Sequence, residues 1–132
     1  MSDYAKGLEG VIANESALSN VEGAAGKLSY LGYEINDLVE HCCYEEVLYL
    51  LHEGKLPNAK ELSVMESALR NDRTIPQGVI DFLQSAPKDA NPMDIVRTGV
   101  SMLGLYDKRA KTGEPDQNAN RQVALSICAQ IP

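Results

Sequence analysis

The densest run of residues able to do chemistry is His41-Cys42-Cys43, followed closely by Glu45, Glu46 and His52. A metal site built from such residues wants ligands at spacings such as C-x-x-C or H-x-x-x-H, and neither occurs. His41 and Glu45 are an i, i+4 pair, so on one helix they would form a local ion pair when the imidazole is protonated. On a helix the adjacent cysteines point away from each other. Free cysteine is among the most buried residue types, so these thiols read as structural and no metal ligand is assigned. Nucleophilic catalysis needs Cys or Ser with a base and an orienting acid. Both histidines lie on one helical segment beside leucines, and no glycine-rich elbow surrounds a serine. No pair stands out among the 19 acidic residues. Gly7-x-x-Gly10 and Gly23-x-x-Gly26 lack the Gly-Lys-Ser/Thr and the immediate helix of a phosphate loop, so they read as turn glycines.

The elements that would carry these residues are of two kinds. Residues 1–35 are glycine-punctuated, with short extended candidates at Gly7–Ile12, Ala17–Val21 and Lys27–Tyr30. Two or three small strands are expected, with a hairpin centred on Glu22 to Gly26. They are too short for a core of their own and form a flap on a helical body. Residues 36–132 have helical periodicity. Asn36 is the expected cap of a short first helix through Glu40. A second helix covers Tyr44 to His52, with Val47, Leu48, Leu50 and Leu51 around it, Gly54 as its stop and Pro57 beyond. Asn58 caps a third, buried along Leu62, Met65 and Leu69. Pro76 opens a fourth at its first position, and Pro87 closes it. Asn91 caps a fifth with Pro92 at its first position. Its stripes Met93-Val96-Val100-Leu103 and Ile95-Gly99-Met102-Tyr106 imply burial on two sides, with Gly99 allowing close approach of a backbone. Asp107 to Gln117 reads as a surface loop. A sixth helix from about Asn118 stays apolar through Ile131, the pattern of a chain cut within an element.

Composition narrows the function classes. The 132 residues suffice for one domain, 44% hydrophobic and 23% charged, ordinary for a globular chain. A formal charge of −7 leaves no basic stripe, so no nucleic-acid partner and no anionic membrane surface is expected. No apolar run reaches the ~20 residues of a membrane span, and the N-terminus lacks the regions of a signal peptide. Three cysteines, two of them adjacent, make a poor disulfide framework and point to a reducing, cytoplasmic setting.

The order of motifs is similar to one family. Gly7-Leu8-Glu9-Gly10-Val11, Ser16, Val21-x-Gly23-x-x-Gly26-x-Leu28-x-Tyr30-x-Gly32-Tyr33-x-Ile35-x-Asp37-Leu38 resembles the opening of citrate synthases. Tyr44-Glu45-Glu46-Val47-Leu48-Tyr49-Leu50-Leu51 and Gly54-Lys55-Leu56-Pro57 continue it. So do Ile75-Pro76-x-Gly78-Val79, Pro92-Met93-Asp94-x-x-Arg97-Thr98 and Leu103-Gly104-Leu105-Tyr106-Asp107. The likeness runs the whole chain, nearest the bacterial and archaeal citrate and 2-methylcitrate synthases. Asn91 stands where many members have histidine, and Leu31 where many have arginine.

The resemblance implies the N-terminal part of a mainly α, multi-helical large domain with a small β flap. The family enzyme is a two-domain dimer of the tricarboxylic acid cycle. It condenses acetyl-CoA with oxaloacetate to citrate, or propionyl-CoA in the 2-methylcitrate synthases, with no tightly bound cofactor. In the family one histidine stabilises the enol and an aspartate takes the methyl proton. A second histidine and arginines hold oxaloacetate. None of these falls within residues 1–132, so no catalytic residue is assigned and the chain alone is expected to be inactive. Lys6 takes the place of a basic residue that contacts CoA phosphate in some relatives; read without the family, it is a solvated terminal lysine. The expected partners are a second copy or the missing C-terminal part. The rival class is a non-catalytic helical interaction or dimerisation module derived from that fold.

Overall fold

A computed structural model of the chain describes residues 12, 15–109 and 116–132, with Gln117 in its backbone alone. Among the described residues are three short strands followed by six α-helices. They divide into two compact units, with the boundary between Ser63 and Val64.

The first unit carries a three-stranded antiparallel sheet in the order β1-β2-β3. Strand β1 (Ser19–Glu22) pairs with β2 (Lys27–Tyr30), Val21 facing Leu28. The link between them is the expected hairpin: one 3₁₀ turn over Gly23–Ala25, then Gly26 at φ 65°. Strand β3 (Tyr33–Glu34) has no counterpart in the sequence reading. It follows a tight turn in which Gly32 sits at φ 90° and Leu31 at φ 49°. A leucine in the left-handed region costs about 1–2 kcal/mol, and the Leu31 N–H to Leu18 carbonyl bond of 3.0 Å helps to hold it. The candidate strand at Gly7–Ile12 lies outside the described residues apart from Ile12, which is exposed.

Helix α1 (Ile35–His41) follows β3 without a loop. This corrects the expectation for Asn36: the chain enters through Glu34, in extended conformation, and Asn36 sits inside the first turn, where it caps nothing. Helix α2 (Tyr44–Glu53) stops at Gly54, whose φ of 78° places it in the left-handed C-cap conformation. Leu38, Leu48 and Leu50 are the buried apolar residues of these two helices. Val47 and Leu51, also expected inside, are half-buried.

Helix α3 (Ala59–Asn71) starts in the first unit and ends in the second. Its Asn58 cap is complete: Asn58 Oδ1 accepts from the N–H groups of Lys60 and Glu61 at 3.0 Å, and Glu61 accepts the Asn58 N–H at 2.8 Å. Such a reciprocal box satisfies donors that a helix start otherwise leaves orphaned. Met65 and Leu69 are buried on its expected face.

Helix α4 (Gln77–Ser85) begins one residue later than expected, because Pro76 is its N-cap rather than its first helical residue. Helix α5 (Pro92–Tyr106) begins as read, with Asn91 Oδ1 accepting from Met93 N–H at 3.0 Å. The two pack on each other. Gly99 is buried, but its neighbour is a side chain at ordinary distance: a Cβ there would stand 3.9 Å from Leu83 Cδ2. The expected close approach of a backbone is therefore not what this glycine serves. Helix α6 (Gln117–Gln130) is capped by Asp116, which accepts from Asn118 N–H at 2.9 Å.

Candidate functional site

Three helices of the second unit meet around one polar cluster. Asp72 follows α3, Asp107 caps the end of α5, Arg109 follows two residues on, and Ser126 lies on α6. Arg109 grips Asp107 with two parallel bonds, Nε to Oδ1 and Nη2 to Oδ2, both 2.9 Å. The Arg109 backbone N–H adds a third, to Asp107 Oδ1 at 2.8 Å. A guanidinium fork matched to a carboxylate in this way has both energy and orientation. The Arg109 side-chain hydrogen bond is the main reason the Asp107 carboxyl is held below its ordinary range.

The same Nη2 donates to Ser126 Oγ at 2.9 Å, and Ser126 Oγ donates in turn to Asp72 Oδ2. One hydroxyl proton satisfies this arrangement, because Oγ must accept from the guanidinium and give to the carboxylate. Ser126 is only 3% exposed, the one buried polar side chain among the described residues. Nearby, Gln130 Nε2 donates to the Thr74 carbonyl at 3.2 Å. Asp107, Arg109 and Ser126 line an open cavity of about 320 Å³ with Leu103, Val123 and Ile127.

This cluster is a clasp that ties the end of α3, the end of α5 and α6 together. Its single guanidinium faces two carboxylates, so it offers no net positive charge to an incoming anion. Its members are two carboxylates, one guanidinium and one hydroxyl, with no imidazole among them. The clasp was missed in the sequence analysis. Its one local signal was an isolated serine in an apolar helical stretch.

The first unit holds the residues that looked chemical at the outset. Cys43 is the N-cap of α2, accepting from the N–H of Glu46, while Glu46 Oε2 accepts the Cys43 N–H at 2.7 Å. Cys42 is the C-cap of α1. The pair thus sits at a junction between helices and not on one. The histidines are also divided: His41 ends α1 and His52 lies in the last turn of α2. Glu45 lies in the first turn of α2, so it shares no helix with His41 and the expected i, i+4 pairing on one helix does not arise. Burial, then the neighbouring Glu46 charge, pushes the Cys42 thiol up. Partial desolvation leads for Cys43, an exposed residue, with Glu46 contributing in both directions. Thiols raised in this way stay protonated at neutral pH and are weak nucleophiles. Among the described residues no three His, Cys, Asp or Glu side chains gather as a metal site. Lys6 lies outside the described residues. No helix among the described residues is long and apolar enough to cross a membrane.

Comparison with known proteins places this architecture. A family model described as citrate synthase, C-terminal domain, matches residues 7–132. A 2-methylcitrate synthase 2 of Corynebacterium glutamicum is 42% identical over 131 residues, 99% of this chain and 34% of that protein. A citrate synthase of Haloferax volcanii is 42% identical over 129 residues, 96% of this chain and 34% of that one. The crystal structure of citrate synthase from Pyrobaculum aerophilum superposes with a TM-score of 0.85 at 27% identity, over 94% of this chain and 33% of that one. The mainly α architecture with its small sheet is that of these enzymes. The chain belongs to the citrate synthase family. It spans about a third of the length of the relatives it matches.

Proposed function

We propose that the chain is the N-terminal segment of an enzyme that condenses acetyl-CoA with oxaloacetate to citrate. The observation that supports this is the match to a citrate synthase along 96% of the chain at 42% identity. A 2-methylcitrate synthase at the same identity supports a second reading, in which the acyl donor is propionyl-CoA. The two readings differ in the acyl donor. The segment acts as part of a larger assembly in the cytoplasm, with the rest of the catalytic chain or a second copy as partner. It takes a coenzyme A thioester as substrate there and needs no tightly bound cofactor. Lys6 is a candidate contact for the CoA phosphate.

The physical case for dependence on a larger assembly is direct. Forming an enolate from a thioester methyl group needs a base, a donor at the developing oxygen and cations for two carboxylates, held in one water-poor cleft. The chain has no histidine after His52. Arg109, the arginine in the clasp, is already committed to Asp107 and Ser126. Thiol release from acetyl-CoA and oxaloacetate, followed with a thiol reagent, is the test. Residues 1–132 alone are expected to give no turnover above the uncatalysed rate. Adding a segment that carries the family's two histidine motifs is expected to restore it, and comparing acetyl-CoA with propionyl-CoA then selects the donor. Turnover by the chain alone, abolished by changing His41 or His52, would overturn the reading. Failure of the combined segments to turn over either donor would favour a non-catalytic interaction module.

A further inference from the structure

The α1–α2 junction brings two reduced thiols to one apolar groove. Cys42 and Cys43 are both free, and Cys43 is exposed. Both line a cavity of about 220 Å³ whose other walls include Leu38, Val39, Tyr44 and Val47. Val39 and Tyr44 are 78% and 61% exposed, so the groove opens outward. Both residues border this one groove, and both feel the charge of the Glu46 carboxylate.

Adjacent thiols in this setting resist closing on each other. Neighbouring Cα atoms stand ~3.8 Å apart, short of the ~4.4–6.8 Å that an unstrained disulfide spans. The pair therefore persists as a dithiol. A divalent metal is poorly served, since among the described residues no third ligand joins the two sulfurs as a metal site. A centre satisfied by two sulfurs is well served. An atom inserted between them also holds them farther apart than the ~2.05 Å of an S–S bond.

We propose that Cys42, Cys43 and their groove form a binding site for a trivalent organoarsenical, a thiophilic centre carrying an apolar substituent. The exchange balances without redox change. R–As(OH)₂ forms two As–S bonds while two As–O and two S–H bonds break. The two protons leave with the two hydroxides as water, and arsenic stays trivalent. The substituent lies against Val39, Tyr44 and Val47. Binding draws Cys43 Sγ away from the Glu46 N–H, so α2 loses its cap as the ligand enters.

Phenylarsine oxide and the full 132-residue chain make the experiment. Intact mass should give one adduct per chain, and thiol titration should fall from three free thiols to one, Cys128. A small competing dithiol should reverse it. Cys42→Ala and Cys43→Ser should each weaken binding ~10²-fold or more, because a second attachment becomes intramolecular only when both thiols are present. Serine remains a good N-cap, so the Cys43 variant keeps its fold. Cys128→Ser should bind as the parent does. The folded chain should prefer phenylarsine oxide to inorganic arsenite, and Val39→Asp should reduce that preference. An adduct on Cys128, single-thiol variants that bind like the parent, or equal affinity in denaturing urea would overturn the proposal.

Discussion

Ser126 and Asp72, 54 residues apart in sequence, are joined by a hydrogen bond from the serine hydroxyl to the carboxylate. Removing that hydroxyl leaves Arg109 Nη2 without its Ser126 acceptor and Asp72 without this donor. Ser126→Ala is expected to cost about 0.5–1.5 kcal/mol, the net worth of a hydrogen bond whose remaining partners, Asp72 and Arg109, are exposed to water. Asp72→Asn should cost less, because the amide oxygen still accepts from Ser126. Urea denaturation measures both. A Ser126→Ala midpoint equal to the parent's would rule out a stabilising clasp.

Acid should weaken the second unit through Asp107. Its carboxyl, ordinarily at 3.8, is held lower by the Arg109 side-chain hydrogen bond. A depressed folded-state value contributes stability above the unfolded value and loses it as pH falls through the folded one. Stability from this pair should therefore be flat toward neutral pH and decline below pH 3.8. In the first unit Glu61, ordinarily at 4.5, is lowered first by Lys55, so it contributes with the same sign. Lys55 is raised above 10.5 by Glu61, so its contribution holds below that value and fades as alkali rises through the folded one. Asp107→Asn should flatten the acid limb of a thermal-midpoint profile. An unchanged limb would assign the acid response to other carboxylates.

Gly78 and Tyr106 offer a test whose sign depends on background. A Cβ on Gly78 would overlap the Tyr106 hydroxyl and stand 3.1 Å from Cζ. The ring is half-exposed and can swing aside, so Gly78→Ala alone should be near neutral. In a Tyr106→Ala background the same change should stabilise by about 0.5–1 kcal/mol, the helix preference of alanine over glycine. Equal effects in both backgrounds would mean the ring does not oppose the methyl group.

Self-association is expected of the isolated chain. On α5, Met93 is 69% exposed, Val96 45% and Leu105 71%. Met93 and Val96 lie one turn apart on one face and Leu105 on another, so α5 leaves apolar surface uncovered on two sides, and large exposed apolar patches are uncommon on monomers. Sedimentation at tens of micromolar should reveal species larger than the monomer, reduced by Met93→Lys with Leu105→Lys. A single monomeric boundary would show that these side chains are tolerated in water.

Helix starts and stops were largely legible because they are written in local chemistry. Asn58, Asn91 and Gly54 each do what their residue type allows at that position. Asn36 misled because the competing signal, a strand feeding directly into a helix, depends on pairing between Tyr30 and Tyr33. Cys43 was read for its sulfur chemistry and not as a cap, since cysteine is an unusual residue there. The inward face of α6 was the least legible. Its apolar run through Ile131 suggested a buried end, yet Ile131 is 52% exposed while Ser126 and Ala129 are buried. Hydrophobicity ranks residues by transfer energy, and it does not register a serine whose two polar partners come from elsewhere in the chain. The clasp was invisible for the same reason, as its members are spread from Asp72 to Ser126 in sequence.

That spread bears on the order in which the second unit assembles. Helices α3 to α6 are built from near-neighbour contacts that form early and quickly. The Asp72–Ser126 bond and the Gln130–Thr74 bond instead close segments of 54 and 56 residues, and closing a long segment carries an entropic cost before any contact repays it. Such closures belong late on the folding path. Loss of the Ser126 hydroxyl should then appear mainly as faster unfolding, with the folding rate nearly unchanged. In kinetic terms the clasp is a latch: it sets how long the unit stays folded more than how fast it gets there.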